Sequence, residues 1–520
     1  MTLVRSAGVI GAATMTSRVL GLVRDQVLAY FFGAGDAMDA FRIAFRLPNV
    51  LRDLFAEGAL SASLVPTLTR SHVAGGMARV SDLASQVINI LLIVSGVVVV
   101  TGIAFAHPLV VHYAAGFASI PGKLELTVRL TRIMFPFLLL ITIAATLMAV
   151  MNALHRFFVP ALSPAMFNVA TILCAVIFVP LAPRLGVEPI VVIAGATLVG
   201  GVGQIVLQWP AVRRLGFRYR PLLDLGDPAL REIGRLMLPG VAGLAAVQIN
   251  LFVSSWIAAG LGTGAVSWLD YAFRLMYMPI GLFGVSIATA ALPDIARDAA
   301  RDDAHAVRRG IAGSLRMMLM LNIPATVGLV VLAGPIVALI FEHGRFTAAD
   351  TAATATALAC YAPGLVGYSA VKLASPTFYA LGSSRVPVLA GTASVACNIV
   401  LGLVLARLLG HPGLALATAI AALVNASLLL WLLRARLGGL EGSRLLASVI
   451  GIVAASAVMA GAAWGTERLL HIPLPGQSIL EQAIRVFSSI AAGLVVLALA
   501  AQALRLEEFQ RLKDGLFAAR

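Results

Sequence analysis

Charge is scarce in this chain. Only 12% of its 520 residues are Asp, Glu, Lys or Arg, while 60% are hydrophobic. A soluble protein of this size would carry about 25% charged residues, so the water-soluble globular class is excluded. Acid is scarcer than base: 24 carboxylates against 38 Lys and Arg leave a net charge of +14. Cysteine is nearly absent. Cys174, Cys360 and Cys397 lie far apart within apolar runs, which excludes a disulfide framework or a thiolate metal pair and leaves them as packing residues. Enzyme signatures are missing too. No GxxxxGK(S/T), HExxH or GxSxG occurs and the eight histidines are scattered, so the chain does not hydrolyse ATP through a P-loop.

What the chain does have is long apolar runs, at a mean hydropathy of +0.95. A helical span needs roughly 20 apolar residues, and only helices or closed barrels satisfy their backbone in lipid. These continuous runs are not the alternating pattern of a barrel. The pattern predicts an all-α polytopic membrane protein with about fourteen transmembrane helices. Among them are spans over Ile10–Phe31, Leu51–Leu68, Val87–Ala106, Leu130–Met151 and Thr354–Phe378; the last two, fourth and tenth in order, read least well as simple crossings. Gly and Pro are dense within spans, as at Pro239–Gly240, Pro324 and Pro363–Gly364, either as ordinary kinks or as hinges.

The positive charge is unevenly placed. Lys and Arg favour cytoplasmic loops. The loop after the sixth span holds Arg213, Arg214, Arg218, Arg220 and Arg231; that after the eighth holds Arg297, Arg301, Arg308 and Arg309; that after the twelfth holds Arg434, Arg436 and Arg444. The alternate loops are sparser, with Lys123, Arg184, Arg345, Arg407 and Arg468 mostly alone. All the rich loops fall on one side, which predicts that both termini are cytoplasmic. The pI of about 10.6 therefore reflects topology rather than nucleic-acid binding. The N-terminal apolar run leads into SRVLGLVRD rather than a small-residue cleavage site, so no cleaved signal peptide is expected.

The chain repeats itself. AFRLPNVLRDLFAEGALSASLVP from Ala44 aligns without a gap on AFRLMYMPIGLFGVSIATAALPD from Ala272, an offset of 228 residues. ALHRFFVPAL from Ala153 and ALGSSRVPVL from Ala380 sit at nearly the same offset. That offset spans six helices, an even number, so the halves share one orientation about an axis along the membrane normal. The expected organisation is an N-terminal lobe over 1–225, a C-terminal lobe over 226–436, and two extra helices over 437–520. Two such bundles around a central cavity suit alternating access.

Charges lie inside the predicted spans. Arg18, Arg24 and Asp25 fall in the first, and Arg52, Asp53 and Glu57 in the second. Each costs at least about 2.5–3.5 kcal/mol near a bilayer centre and must face water or protein. Arg18 and Asp25 lie on almost one helix face, whereas Arg24 can pair only with neighbours or across to another helix. Asp39, Arg42 and Arg46 share a short charged helix, interfacial or re-entrant, followed by Asn49, with Pro48 at the start of the next helix. Asp270 and Arg274 are i,i+4, and Lys372 lies in the tenth span. Each charge is either part of a buried pair that fixes helix register or a cation for an anionic ligand. The excess of arginine, whose planar fork binds two oxygens at once, makes phosphate or diphosphate the natural ligand.

The segments SRVLGLVRDQVLAYFFGAG, DAFRIAFRLPNVLRDLFAEGALSASLVP, SWLDYAFRLMYMPIGLFGVSIATAALP and FEHGRFTAADT resemble the MurJ (MviN) lipid II flippases of the multidrug/oligosaccharidyl-lipid/polysaccharide exporter superfamily. The resemblance covers essentially the whole chain. It implies a transporter without ATPase, not an enzyme, in the bacterial cytoplasmic (inner) membrane. Its substrate would be undecaprenyl-diphosphate-linked disaccharide-pentapeptide, moved from the cytoplasmic to the outer leaflet for peptidoglycan assembly. It implies a cationic cavity with Arg18, Arg24, Arg52, Arg274, Lys372 and Asn49 for the substrate, and Asp25, Asp39, Glu57 and Asp270 as gating or ion-pair residues. The two last helices would form a groove for the lipid tail. No cofactor is implied; the membrane potential or an ion gradient would drive turnover. The partners would be lipid II and the bilayer, with other cell-wall synthesis proteins admitted and nucleic acid excluded. Some members carry acidic residues where this chain has Phe273 and Tyr277, and Asp270, one turn earlier, is the available substitute. Two rivals stay open: an exporter of another polyprenyl-diphosphate-linked glycan, and a cation-coupled drug exporter, against which the arginine excess argues.

Overall fold

The computed structural model describes residues 3–53, 58–474, 476 and 478–518. Every described regular element is helical. In chain order they are α1 Leu3–Phe32, α2 Asp36–Arg52, α3 Gly58–Ala104, α4 Ala106–Tyr113, α5 Lys123–Met134, α6 Phe137–Ala153, α7 Phe158–Phe178, α8 Pro189–Arg214, α9 Pro228–Ala259 and α10 Ala265–Pro279. Then come α11 Val285–Ala300, α12 Ala304–Val331, α13 Ala333–Phe341, α14 Ala348–Tyr361, α15 Gly364–Ala380, α16 Arg385–Leu409, α17 His411–Arg436, α18 Gly442–His471, α19 Ile479–Ala503 and α20 Glu507–Ala518. Ten described helical segments are long and apolar enough to cross a membrane, and α14 with α15, bent by 43°, would make an eleventh. α1 and α9, at 30 and 32 residues, also have the length of a span.

The irregular crossings break where the sequence breaks them. The fourth span divides at Phe135–Pro136 into α5 and α6. The tenth bends at Pro363–Gly364, where proline lacks an amide hydrogen. A side chain at Gly364 would come within 3.0 Å of the Ala419 backbone, so this glycine also permits close packing of α15 on α17. One expectation is corrected. Pro48 lies inside α2 instead of starting a helix. α2 starts at Asp36, where Asp36 and Asp39 occupy the first turn and favour the helix dipole, and the chain tolerates the one hydrogen bond that Pro48 forfeits. α3 is two helices joined at a kink, with non-helical backbone at Gly75 and Gly76: Gly58–Leu68 of the expected second span lies before the kink, and Val87–Ala104 of the third lies after it.

The chain divides into two compact units, 1–267 with 344–346, and 268–343 with 347–520. In the first, α3 packs on α6 and α9, α1 on α7, and α2 on α5. Phe45, Phe137 and Phe167 pack against one another at centroid distances of 5.6–6.0 Å, with Phe45 stacked on Phe167. Gly344–Phe346 belongs to this unit although its sequence neighbours do not. The Arg345 amide donates to the Tyr30 carbonyl at 2.9 Å, capping the end of α1. Gly344 has φ +64°, and a Cβ there would lie 2.4 Å from that carbonyl oxygen. In the second unit, α16 packs on α17, α18 on α19 and α12 on α18. α10 and α11 are joined by a π-helical turn at Ile280–Gly284.

The segment 215–227 lies against α3. Asp227 caps α9 by accepting from the Ala229 amide at 3.0 Å, and it receives Arg79 at 2.7 Å and Gln86 at 3.4 Å. The Arg79 hydrogen bond holds the Asp227 carboxyl below the usual carboxylate range. A depressed folded-state pKa contributes stability above the unfolded value of about 3.9, and that stability is lost as pH falls through the folded value. Wild-type protein in detergent is therefore expected to lose about 1–2 kcal/mol on acidification from this contact, discounted for the exposed Arg79. Asp227→Asn, which keeps the cap, should start lower and lose less. Equal acid sensitivity of the two melting temperatures would contradict this.

Candidate functional site

The charges of the first unit gather into three groups. In the first, Arg24 reaches sideways on α1 to its neighbour Asp25, at 2.9 Å from Nη2 and 3.3 Å from Nε. Its other nitrogen, Nη1, donates to Asn168 Oδ1 on α7 at 3.1 Å, and Asn168 in turn donates to the Ser17 carbonyl at 3.1 Å. Arg42 of α2 lies 3.9 Å from the same Asp25 oxygen. Asp25 is buried at 2% exposure, with Arg24 at 11% and Arg42 at 8%. Two cations thus surround one carboxylate, and the Phe167 ring lies 5.5 Å from the Arg24 guanidinium carbon.

The second group repeats the device. Arg52 donates to Asp53 at 2.7 and 3.1 Å, and Gln248 donates to the other Asp53 oxygen at 3.1 Å. This pair is about a quarter exposed. Asn49 is half-buried on the same helix. Glu57 lies outside the described residues.

The third group corrects the reading of Lys123 as an isolated loop cation. Lys123 is fully buried. Its ammonium lies 2.9 Å from both Asp36 and Asp39, and 4.1 Å from the Phe117 ring centroid. Asp39, also fully buried, accepts from the Gly264 amide at 2.7 Å, the Ser267 amide at 3.0 Å and the Ser267 hydroxyl at 2.7 Å. One carboxylate thereby satisfies the first backbone donors of α10 as well as an ammonium.

In the second unit, Arg274 Nε donates to Asp270 Oδ2 at 2.9 Å, one turn back on α10. Beside them, Phe273 stacks with Tyr277 at 5.8 Å and meets Tyr361 edge-on at 5.5 Å. Phe273 and Tyr277 are thus an aromatic pair one turn apart. Lys372 is exposed on α15, and Arg18 is exposed on α1. Asp25, the carboxylate on the Arg18 face, is engaged by Arg24 and Arg42 instead.

Sequence reasoning passed over Asp53 as a site residue, along with Asn168, Lys123 and Ser267. Asp53 had a signal: Arg-Asp occurs at 24–25 and again at 52–53. Ser267 had another, because it is displaced from Asp39 by the repeat offset of 228. Asn168 and Lys123 had none. Among the described residues no cluster of His, Cys, Asp and Glu could hold a metal.

Comparison with known proteins gives one consistent answer. The family model described as "Lipid II flippase MurJ" matches residues 28–484, a stretch that starts just after Arg24 and Asp25. A "probable lipid II flippase MurJ" of Vibrio cholerae serotype O1 is 37% identical over 471 residues, 88% of each chain. A "lipid II flippase MurJ" of Burkholderia cenocepacia is 35% identical over 432 residues, 82% of this chain and 83% of its own. Among solved structures, a lipid II flippase MurJ in an inward closed conformation superposes with a TM-score of 0.77 at 26% identity, covering 95% of this chain and 99% of the other. A multidrug MATE transporter of the MOP superfamily, at 16% identity and a TM-score of 0.69 over 84% of this chain and 99% of the other, shares the fold.

Proposed function

This chain belongs to the lipid II flippase MurJ family, as a multi-pass inner-membrane transporter and not an enzyme, and from that premise we propose that its arginines take the substrate diphosphate by exchanging partners. The observation that carries this reading is that Arg24, Arg52 and Arg274 are each held by a carboxylate on their own helix. An arginine fork binds a phosphate as it binds a carboxylate, through two parallel hydrogen bonds. A diphosphate brings more negative charge than one aspartate and can displace it. In the empty transporter the carboxylates offset repulsion among the cations. With substrate bound, the arginines turn to the diphosphate, and on release the carboxylates recover them.

Several further parts of the reading rest on the family and the charge pattern. Lipid II moves from the cytoplasmic to the outer leaflet by alternating access of the lobes 1–225 and 226–436. The helices within 437–520 guide the lipid tail, and both termini are cytoplasmic. Arg18, Lys372 and Asn49 assist the headgroup, with Glu57 as a further gating acid. The membrane potential biases the moving charges, at about 2.3 kcal/mol per charge for 100 mV. Other cell-wall synthesis proteins are partners in supplying and consuming lipid II.

The test is Arg274→Ala, expressed as the sole copy while the native flippase is depleted. Lipid II exposed on the outer leaflet is expected to fall to background, with the cytoplasmic pool rising before lysis and membrane insertion unchanged. Full exposure of lipid II with Arg274→Ala would overturn the role of Arg274. Loss of a different surface glycan, with lipid II exposure intact, would move the substrate to that glycan.

A further inference from the structure

The loop that follows α8 carries apolar side chains on its outside. Tyr219, Leu222, Leu223 and Leu225 are exposed, Leu223 and Leu225 by 53% and 65%. Four exposed leucines and aromatics within seven residues are a liability in water. The loop is not loose. The Arg218 amide donates to Ser81 Oγ at 3.2 Å and the Arg220 amide to Ser85 Oγ at 3.0 Å. Asn89 closes the set, donating to the Leu222 carbonyl at 2.7 Å and accepting from the Tyr219 hydroxyl at 2.7 Å. Arg220 also pairs with Asp82 at 3.0 Å.

Ser81, Ser85 and Asn89 are four apart, so they form one stripe along α3. The loop follows that stripe for about two turns, roughly 12 Å, towards the apolar run that begins at Ile90, in a stretch without charge after Asp82. It starts, too, at the end of a candidate span, α8, where the Arg213 guanidinium lies 5.9 Å from the Trp209 ring. Paired Trp and Arg at a helix end mark a membrane–water interface. The α3 stripe and the end of α8 therefore both place the leucines at interface depth. The charge there is one-sided: Arg213, Arg214, Arg218 and Arg220 against Asp224 alone between 213 and 225.

We propose that residues 213–225 are an interfacial lipid-binding surface, with Leu222, Leu223 and Leu225 among the acyl chains and Arg213, Arg214 and Arg218 on the phosphates of anionic lipids. Arg220 is committed to Asp82 and fixes the loop instead. This surface is separate from the substrate arginines and holds whatever the transported lipid is. It fits a leaflet rather than a protein because its leucines are spread along a strip beside the start of the α3 apolar run, and its arginines flank them as headgroups flank acyl chains.

The experiment places a nitroxide label on the full chain, at Leu223→Cys or, separately, at Leu225→Cys, with Cys174, Cys360 and Cys397 changed to Ser. The protein is reconstituted in phosphatidylcholine vesicles with or without phosphatidylglycerol. With phosphatidylglycerol, both labels are expected to be shielded from a water-soluble relaxant and open to oxygen. Changing Arg213, Arg214 and Arg218 together to Gln should restore access to the aqueous relaxant, and each single change should weaken retention of phosphatidylglycerol about fivefold. Labels fully open to the aqueous relaxant in both vesicle types would overturn the proposal. Equal shielding without phosphatidylglycerol, unchanged by the Gln variants, would overturn its anionic-lipid part.

Discussion

Lys123→Ala is expected to destabilise the first unit by about 3–5 kcal/mol, the cost of leaving a buried charge without its partner. The carboxylate left behind is Asp39, which is fully buried and holds the ammonium at 2.9 Å. Its remaining donors are the Gly264 amide and the Ser267 amide and hydroxyl. Three neutral donors soften the loss, so the expectation lies towards the lower end of the range. Asp36 is less affected, because its side chain is 44% exposed and water can replace the lysine. The measurement is thermal unfolding of the purified protein in detergent. Lys123→Met separates charge from packing. It restores most of the alkyl stem over Phe117, whose ring centroid is 4.1 Å from the ammonium, but leaves Asp39 unpaired, and should recover little. Adding Asp39→Asn to Lys123→Met should recover part of the loss, since the amide carries no orphaned charge and its oxygen still accepts from the Gly264 and Ser267 donors. Wild-type melting of Lys123→Ala would show that the knot contributes nothing.

That knot also marks the limit of what the sequence makes legible. The membrane class, the helical content and the irregular fourth and tenth spans follow from apolar runs and prolines, which act locally. The Asp270–Arg274 pair follows from i,i+4 spacing on one helix. Lys123 does not, because its partner Asp39 is 84 residues away. Its own neighbourhood, IPGKLEL, resembles any polar turn between spans. A count of loop charges treats it as topology, and burial of a single lysine leaves no periodic trace. Arg24 lies between these cases. The sequence restricts it to local or cross-helix partners, and it takes one of each, Asp25 and Asn168. A sequence signal thus exists only for residues whose partners lie within one turn or at the repeat offset, and even there Asp53 and Ser267 are passed over.

The second large effect distinguishes partner exchange from a fixed ion pair. Asp25→Ala is expected to tighten lipid II binding and slow its turnover, whereas Arg24→Ala is expected to weaken binding. Asp25 competes with the substrate for Arg24 and, at 3.9 Å, for Arg42. A hydrogen bond to a charged group contributes about 1.5–3 kcal/mol net. Removing that competitor should therefore lower the lipid II dissociation constant by about 10- to 150-fold. The same variant lacks the group that recovers the arginines, so release becomes slow and flipping falls. Its two buried cations, with no carboxylate between them, should also lower the melting temperature of the empty protein. Added lipid II should raise it by more than in wild type, because a ligand that binds only the folded state stabilises in proportion to the logarithm of its affinity. Arg24→Ala should show the opposite pattern: a small lipid-induced shift and weak binding, since truncating one partner of a desolvated charge contact costs about 2–5 kcal/mol. If Asp25→Ala weakens lipid II binding as much as Arg24→Ala does, Asp25 acts only to hold Arg24 in place, and the exchange of partners does not occur.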